Sequence, residues 1–256
     1  MKIVFIGTSS GRTSLRRFHS SFLIKSKKYN LLIDAGDGIS KALLKCKIDY
    51  NSIDAILFSH YHADHFTGIG ALITQMKLIG RTKILTIYTH KNLIQPLNNL
   101  IDSVYMFKEN LGFELDIIGF DFDEKIRINN NLNFTARHNS HIQQKEFLSN
   151  YPSEIFVSSS FLFEIENKKI FYSSDIGTSN DLYLFENAKP DFMITETMHI
   201  ATDDIYEAFK KIKPRKIFLT HIDEPQEKDL NKWYRNLPSK DKSKIIVCSD
   251  GLEFKL

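Results

Sequence analysis

The chain has 256 residues, of which 42% are hydrophobic and 25% charged, as in an ordinary globular protein. Its formal net charge of +3 is too small to indicate wholesale nucleic-acid binding, and its two cysteines, Cys46 and Cys248, favour a reducing compartment over a disulfide framework. No apolar stretch is long enough to cross a bilayer, and residues 1–7 are too short for a signal-peptide core. We therefore expect a cytoplasmic protein with no membrane partner.

Apolar runs alternate with polar loops along the whole chain, a pattern typical of an α/β protein. The predicted strands cover residues 2–6, 18–24, 29–34, 55–58, 84–88, 113–119, 125–128, 132–137, 160–166, 169–174 and 216–220. The predicted helices cover residues 39–46, 67–79, 93–107 and 202–212. Because no repeat, low-complexity block or Pro/Gly-rich linker interrupts these elements, we expect a single domain over residues 1–256.

Three imidazoles and a carboxylate follow the fourth predicted strand within six residues: His60, His62, Asp64 and His65. Side chains two residues apart in an extended segment point the same way, so His60 and His62 can bind one ion, and the other two can serve a second centre. Neutral imidazole and carboxylate suit zinc, with manganese or iron as alternatives. Asp34, at the end of an earlier strand, either holds a metal-ligating histidine or forms a turn.

The second half of the chain repeats this arrangement. The strands predicted over residues 132–137, 169–174 and 216–220 are followed by His138, Asp175 and His221, respectively. A single histidine at a strand end is usually structural. Four strands that each end in a potential ligand predict a metal site.

These residues together resemble the ligand set of the metallo-β-lactamase superfamily, and the likeness runs from Gly7-Thr8-Ser9 through residues 34–38 to residues 248–252. The resemblance implies a four-layer αββα sandwich with the site along one edge of its sheets. It also implies two divalent metal ions. One would be held by His60, His62 and His138, the other by Asp64, His65 and His221, with Asp175 bridging both.

Within the superfamily, residues 80–88 and 196–202 are similar to segments of the ribonuclease Z branch of phosphodiesterases. This resemblance implies that His199 protonates the leaving oxygen and that Glu196 orients His199. The alternative for His199 is a structural histidine at a helix start. Asp64 would orient the attacking water or take its proton while it ligates the second metal ion.

The chain departs from tRNA-processing ribonuclease Z between the third histidine and the bridging aspartate. Those enzymes carry a long Gly/Pro-rich arm there, whereas residues 139–159 contain one proline, no glycine and one lysine. Without a basic clamp, phosphate contacts are too few to hold a large RNA tightly, so a small nucleotide is the better substrate prediction. Residues 7–12 and the length of the chain are also similar to those of phage-encoded cyclic-nucleotide phosphodiesterases that defeat Pycsar immunity.

The sequence therefore predicts a dinuclear metal-dependent phosphodiesterase that hydrolyses cyclic mononucleotides to nucleoside monophosphates. A ribonuclease Z-type tRNA 3′-end endonuclease is the first alternative. Hydrolysis of a lactone or thioester, and a non-catalytic nucleotide-binding module, are the others. The family resemblance also implies a homodimer.

Overall fold

The computed structural model describes residues 1–26 and 28–256. The chain divides into two compact units. The first contains Met1–Phe120 and Ser249–Leu256, and the second contains Asp121–Cys248. The single-domain organisation expected from the sequence stays a prediction. None of the helices in the described residues combines the length and the apolar character that a bilayer span requires.

The first unit contains a sheet with helices. Its strands are β1 (Lys2–Gly7), β2 (Ser21–Lys25), β3 (Asn30–Ile33), β4 (Ala55–Leu57), β5 (Leu85–His90) and β6 (Leu115–Phe120). Its α-helices are α1 (Ile39–Lys45), α2 (Ala63–Phe66), α3 (Ile69–Leu78) and α4 (Ile94–Ser103). Short 3₁₀ helices cover Tyr50–Ser52, Lys91–Leu93 and Lys108–Asn110.

The second unit has the same kinds of element. Its strands are β7 (Lys125–Asn129), β8 (Leu132–His138), β9 (Ser159–Ile165), β10 (Lys168–Tyr172), β11 (Phe192–Glu196), β12 (Lys216–Thr220) and β13 (Ile245–Val247). Its α-helices are α5 (Thr202–Ile212), α6 (Glu227–Asn236) and α7 (Ser239–Lys242). Its 3₁₀ helices cover Glu146–Leu148, Ser153–Ile155, Ser179–Tyr183, Glu186–Ala188 and Glu224–Gln226. The last strand, β14 (Glu253–Lys255), belongs to the first unit.

Each unit is built on one seven-stranded mixed sheet. The strand orders are β14-β1-β2-β3-β4-β5-β6 and β13-β12-β11-β10-β9-β8-β7. Strands β3 to β6 pair in parallel in the first sheet, and β10 to β13 do so in the second. Parallel strands end at a common edge, where open α/β sheets bind ligands. The α/β class predicted from the sequence is confirmed.

Each unit has its own apolar core. Helix α3 buries Ile69, Leu72, Ile73 and Met76, as its 3.6-residue spacing predicted. Helix α5 buries Ile205, Ala208 and Phe209 in the second unit and ends at Ile212, where the next residue, Lys213, has left-handed backbone angles. Each fully buried large aliphatic or aromatic side chain contributes roughly 1.5–3 kcal/mol. These cores fix the strand ends that carry the polar residues.

Most predicted boundaries differ from the structure by one or two residues, and two differ by more. The second strand begins at Ser21 rather than at residue 18, because Phe18 N–H donates to the Asp250 carboxylate (2.8 Å) and not to a sheet neighbour. Helix α4 stops at Ser103, four residues before the predicted end. Helix α6 was not predicted from the sequence. It buries Leu230 alone, so its apolar periodicity is too weak to read.

Candidate metal centre

The His-rich segment of the first unit directly follows β4. His60, Asp64 and His65 are buried, and His62 is exposed. His60 Nε2 lies 3.1 Å from His62 Nδ1, and Asp64 Oδ2 lies 3.4 Å from His65 Nε2. The rings of His60 and His65 have centroids 4.2 Å apart. Such a concentration of imidazole nitrogens and a carboxylate is the chemistry of a divalent metal site.

Asp34 orients this segment from the end of β3. Its Oδ2 lies 2.8 Å from His65 Nδ1, and its two carboxylate oxygens accept hydrogen bonds from Ser59 N–H (2.8 Å) and the Ser59 hydroxyl (2.9 Å). The contact to His65 confirms the orienting role that the sequence left open beside a simple turn. Because Nδ1 faces this carboxylate, Nε2 is the nitrogen that His65 can offer to a metal ion.

The loop after Asp34 and the His-rich segment after β4 are joined by hydrogen bonds between their backbones. Ala35 N–H donates to the His65 carbonyl (2.7 Å), and Gly68 N–H donates to the Ala35 carbonyl (2.9 Å). A Cβ atom at Gly36 would lie 1.9 Å from the Asp64 carbonyl oxygen. Only glycine permits this approach, so Gly36 is required for the position of the His-rich segment.

The second unit places its own donors at the ends of parallel strands. Asp175 follows β10 and His221 follows β12, and both side chains are almost completely buried. Asp175 Oδ2 lies 3.1 Å from His221 Nε2 and 3.7 Å from His141 Nε2. A buried carboxylate with two imidazole nitrogens around one of its oxygens fits a divalent cation.

The structure places the third histidine predicted from the sequence, His138, away from Asp175. His138 is exposed at the end of β8, with its ring edge-on to Phe122 at 5.3 Å, whereas His141 lies beside Asp175. The chain turns after β8 because the Asn139 amide oxygen accepts a hydrogen bond from His141 N–H (3.1 Å). The imidazole beside Asp175 therefore belongs to a residue three positions beyond the strand end. The Asn139-Ser140 pair, typical of a turn, was the signal for the second histidine.

Glu196 and His199 form a pair at the end of β11. His199 Nδ1 lies 2.9 Å from both Glu196 carboxylate oxygens, which also accept hydrogen bonds from the backbone N–H groups of Ile176, Met198 and His199. With its oxygens occupied in this way, Glu196 orients His199 rather than serving as a ligand. The Nε2 nitrogen of His199 is then the one that can exchange a proton with a bound molecule.

The surroundings of His199 suit a role in proton transfer. Its side chain is 33% exposed, and its ring centroid lies 5.6 Å from that of His221 and 4.9 Å from that of His141. A cavity of about 360 Å³ opens beside it, lined in part by Thr197, Ile200 and Asp223. The pair thus stands between metal-ligating side chains and a space for a ligand.

Each unit has donors whose chemistry fits a metal ion. These donors are His60, His62, Asp64 and His65 in the first unit and His141, Asp175 and His221 in the second, where Glu196 and His199 form a further group with His221. All but His62, His141 and His199 are buried, and these imidazoles and carboxylates are the ligand types of zinc, manganese and iron. Burying carboxylates and imidazoles together costs desolvation free energy, which bound cations would offset.

The family model described as anti-Pycsar protein Apyc1 matches residues 1–236. The chain belongs to this family. Ribonuclease Z of Aeropyrum pernix is 34% identical over 117 residues, which are 45% of this chain and 37% of that protein. The segments matched in this and the next curated ribonucleases Z are 29–43% of their length, so the chain corresponds to less than half of each.

Solved structures confirm the metallo-β-lactamase fold. YhfI from Bacillus subtilis superposes with a TM-score of 0.76 at 19% identity over 99% of this chain and 98% of that one. The short form of human tRNase Z has a TM-score of 0.74 at 17% identity over 100% and 99% of the two chains. The chain thus has the metallo-β-lactamase fold that the resemblance implied.

Proposed function

We propose that this protein is a dinuclear metal-dependent phosphodiesterase that hydrolyses cyclic mononucleotides to nucleoside monophosphates. The observation that carries the proposal is the Glu196–His199 pair, with His199 Nδ1 2.9 Å from the carboxylate and its ring 5.6 Å from that of the ligand residue His221. A hydrolase that uses metal ions alone has no need of an oriented acid at this place. Membership of the Apyc1 family supports a cyclic-nucleotide substrate.

The proposed ligands are those that the resemblance implied, with His141 in place of His138. In the first unit, His60, His62, Asp64 and His65 would hold metal ions, and in the second unit His141, Asp175 and His221 would do so. When bound, the two ions neutralise charge on the phosphate oxygens and make a nucleophile of water available near neutral pH. Zinc is the proposed metal, and manganese and iron suit the same donors.

The side chains of the protein supply the proton transfers. Asp64 takes a proton from the attacking water, whose oxygen forms the new bond to phosphorus. The bond from phosphorus to the ribose 3′ oxygen breaks, and His199 Nε2 gives a proton to that oxygen. His199 carries this proton in its imidazolium form, which Glu196 holds in place because its carboxylate accepts the Nδ1 hydrogen (2.9 Å) while Nε2–H faces the leaving oxygen.

A small substrate fits the polypeptide between β8 and β9 better than a large RNA does. Residues 139–159 contain a single lysine, and the structure folds part of them into the 3₁₀ helices Glu146–Leu148 and Ser153–Ile155. The phosphate contacts that a tRNA requires would have to come from elsewhere. The cavity of about 360 Å³ beside His199 lies in the range of small-ligand sites and offers room for a nucleoside.

A ribonuclease Z-type tRNA 3′-end endonuclease is the second candidate, favoured by the 34% identity to the A. pernix enzyme. One assay separates the two. The purified protein is incubated with a panel of cyclic mononucleotides and with precursor tRNA, with and without a chelator, beside His199→Ala and Asp175→Ala. Chelator-sensitive turnover of a cyclic nucleotide faster than that of the tRNA supports our proposal, and the reverse order contradicts it.

The remaining alternatives give different results in the same assay. Hydrolysis of lactones or thioesters without phosphodiesterase activity would indicate another metallo-hydrolase. Equilibrium binding of a nucleotide with no product after long incubation with zinc or manganese would indicate a binding module. We also propose a homodimer, as the family resemblance implies, and light scattering during size-exclusion chromatography tests it.

A further inference from the structure

We propose that Asp181 is a positioning residue for the metal ligands of the second unit. Its carboxylate connects the loop that carries His141 to the loop that carries Asp175. The proposal rests on the metal centre of the proposed function, but not on the substrate. Asp181 touches neither ligand side chain, and it acts through the backbone of both loops.

Four donors converge on one oxygen of this carboxylate. Asp181 Oδ2 accepts from Ser140 N–H (3.1 Å) and the Ser140 hydroxyl (2.5 Å) on one loop, and from Gly177 N–H (3.2 Å) and Thr178 N–H (3.3 Å) on the other. Ser140 precedes His141 directly, and Gly177 is the second residue after Asp175. The side chain is only 6% exposed, so water competes little for these hydrogen bonds.

The two loops also touch directly at Gly177. A Cβ atom on this residue would lie 2.1 Å from the Ser140 carbonyl oxygen and 2.6 Å from the carbonyl carbon. Both are backbone atoms, so no side-chain rotation can relieve the clash. The contact between residue 177 and the Ser140 carbonyl, which Asp181 stabilises, therefore requires glycine at position 177. Any larger residue there would displace the His141 loop.

Asn139, the residue before Ser140, anchors the start of the His141 loop. Its amide nitrogen donates to the Ser160 hydroxyl (3.0 Å) and the Ser173 carbonyl (3.3 Å). Asn139 thus attaches the loop to the sheet, while Asp181 sets its distance from the loop after β10. That distance fixes the 3.7 Å between His141 Nε2 and Asp175 Oδ2. Metal ligands must keep such separations within a few tenths of an ångström.

The consequence is a loss of metal affinity when Asp181 changes. Substitution of residues that orient ligands typically weakens metal binding ~10–100-fold. Asp181→Asn keeps the shape but loses the charge that strengthens four hydrogen bonds, so we expect a loss of about tenfold. Asp181→Ala removes all four acceptor contacts and, like Gly177→Ala, should reach about 100-fold.

The test measures zinc and cobalt affinity of the full-length protein by competition with a chromophoric chelator, together with the visible absorption of the cobalt form. Thermal unfolding of the metal-stripped protein is recorded for each variant. Asp191→Asn is the matched control. This carboxylate also accepts a backbone hydrogen bond, from Lys169 (3.0 Å), and pairs with Arg215 (3.1 Å), but it lies at the starts of β10 and β11, away from the ligands.

We expect weaker metal binding and an altered cobalt spectrum in Asp181→Asn, Asp181→Ala and Gly177→Ala, and wild-type values in Asp191→Asn. The proposal is wrong if the Asp181 variants keep the wild-type affinity and spectrum, or if the control loses as much affinity as they do. Because Asp181→Asn is nearly isosteric, it keeps the test decisive if the alanine variant fails to fold. A wild-type protein that binds no divalent metal would overturn the proposed function as well.

Discussion

His65 is fixed by Asp34, whose Oδ2 atom lies 2.8 Å from the imidazole Nδ1 with both side chains completely buried. The same carboxylate holds Ser59, which immediately precedes His60, through two further hydrogen bonds of 2.8 and 2.9 Å. A single aspartate at the end of β3 therefore determines the position of two predicted ligands. Several consequences can be measured.

Asp34→Asn should weaken metal binding ~10–100-fold, because an amide cannot replace the charge that orients His65 Nδ1. Asparagine is the appropriate replacement here. Asp34 has a φ of 59°, a left-handed conformation that Asn tolerates and alanine does not. Metal affinity from chelator competition, measured beside the unfolding temperature of the metal-free protein, checks the prediction. Wild-type affinity in Asp34→Asn would show that Asp34 has only a structural role.

His141→Ala should abolish binding of one metal ion, and His138→Ala should leave metal content unchanged. His141 Nε2 lies 3.7 Å from Asp175 Oδ2, whereas His138 is exposed and contacts Phe122. Elemental analysis of the two purified variants provides the comparison, and each serves as the control of the other. Loss of metal in His138→Ala with normal metal in His141→Ala would restore the assignment made from the sequence.

His199→Ala should lower kcat by ~10²–10⁴ without loss of metal, since it removes the acid and no ligand. Glu196→Gln should act in the same direction, because an uncharged amide weakens the 2.9 Å contact that orients the protonated His199 ring. The measurement is kcat on a cyclic nucleotide together with metal content. A substrate with a more acidic leaving alcohol needs less protonation, so His199→Ala should recover part of its activity on such a substrate. An equal loss on both substrates would argue against an acid.

Arg81→Met should destabilise the fold by at least ~3 kcal/mol. The side chain is 1% exposed and donates to the carbonyls of Lys83 (2.7 Å), Tyr50 (3.3 Å), Ile53 (2.9 Å) and Ile84 (2.7 Å). Methionine fills similar space but leaves these acceptors without their donor. Burial lowers the pKa of Arg81, and the nearby carboxylates of Asp54 and Asp49 oppose this shift.

Urea unfolding of Arg81→Met and of the wild type gives the difference in the free energy of unfolding. Lys41→Met is the control, because Lys41 is exposed on α1. This substitution should change the free energy of unfolding by no more than about 0.5 kcal/mol. Arg81→Lys should lie between wild type and Arg81→Met, since an ammonium presents three donors from one point and cannot span four carbonyls. Equal stability of Arg81→Met and wild type would contradict the assigned role.

Many helices and strands could be predicted from the sequence, because the spacing of apolar residues within each segment determines them. Helix α3 follows from the spacing of Ile69, Leu72, Ile73 and Met76, and the ligand-bearing strand ends follow from apolar runs that stop at polar residues. Weakly patterned elements were not predicted. Helix α6 buries only Leu230, and β14 has three residues and exists through its pairing with β1, 251 positions away at Lys2 and Glu253.

The sequence by itself determined the donor chemistry: the His60–His65 cluster, Asp175 and His221 can be read from residue type and strand position, and the resemblance to ribonuclease Z pointed to Glu196 and His199. Only the tertiary structure decided that His141 rather than His138 lies beside Asp175, that Asp34 contacts His65, and that Asp181 joins the loops of His141 and Asp175. The physical reason is that a side chain at a strand end is placed by local backbone geometry. A side chain in a loop is placed by hydrogen bonds to residues such as Asp181, 41 positions from Ser140, which no local pattern reveals.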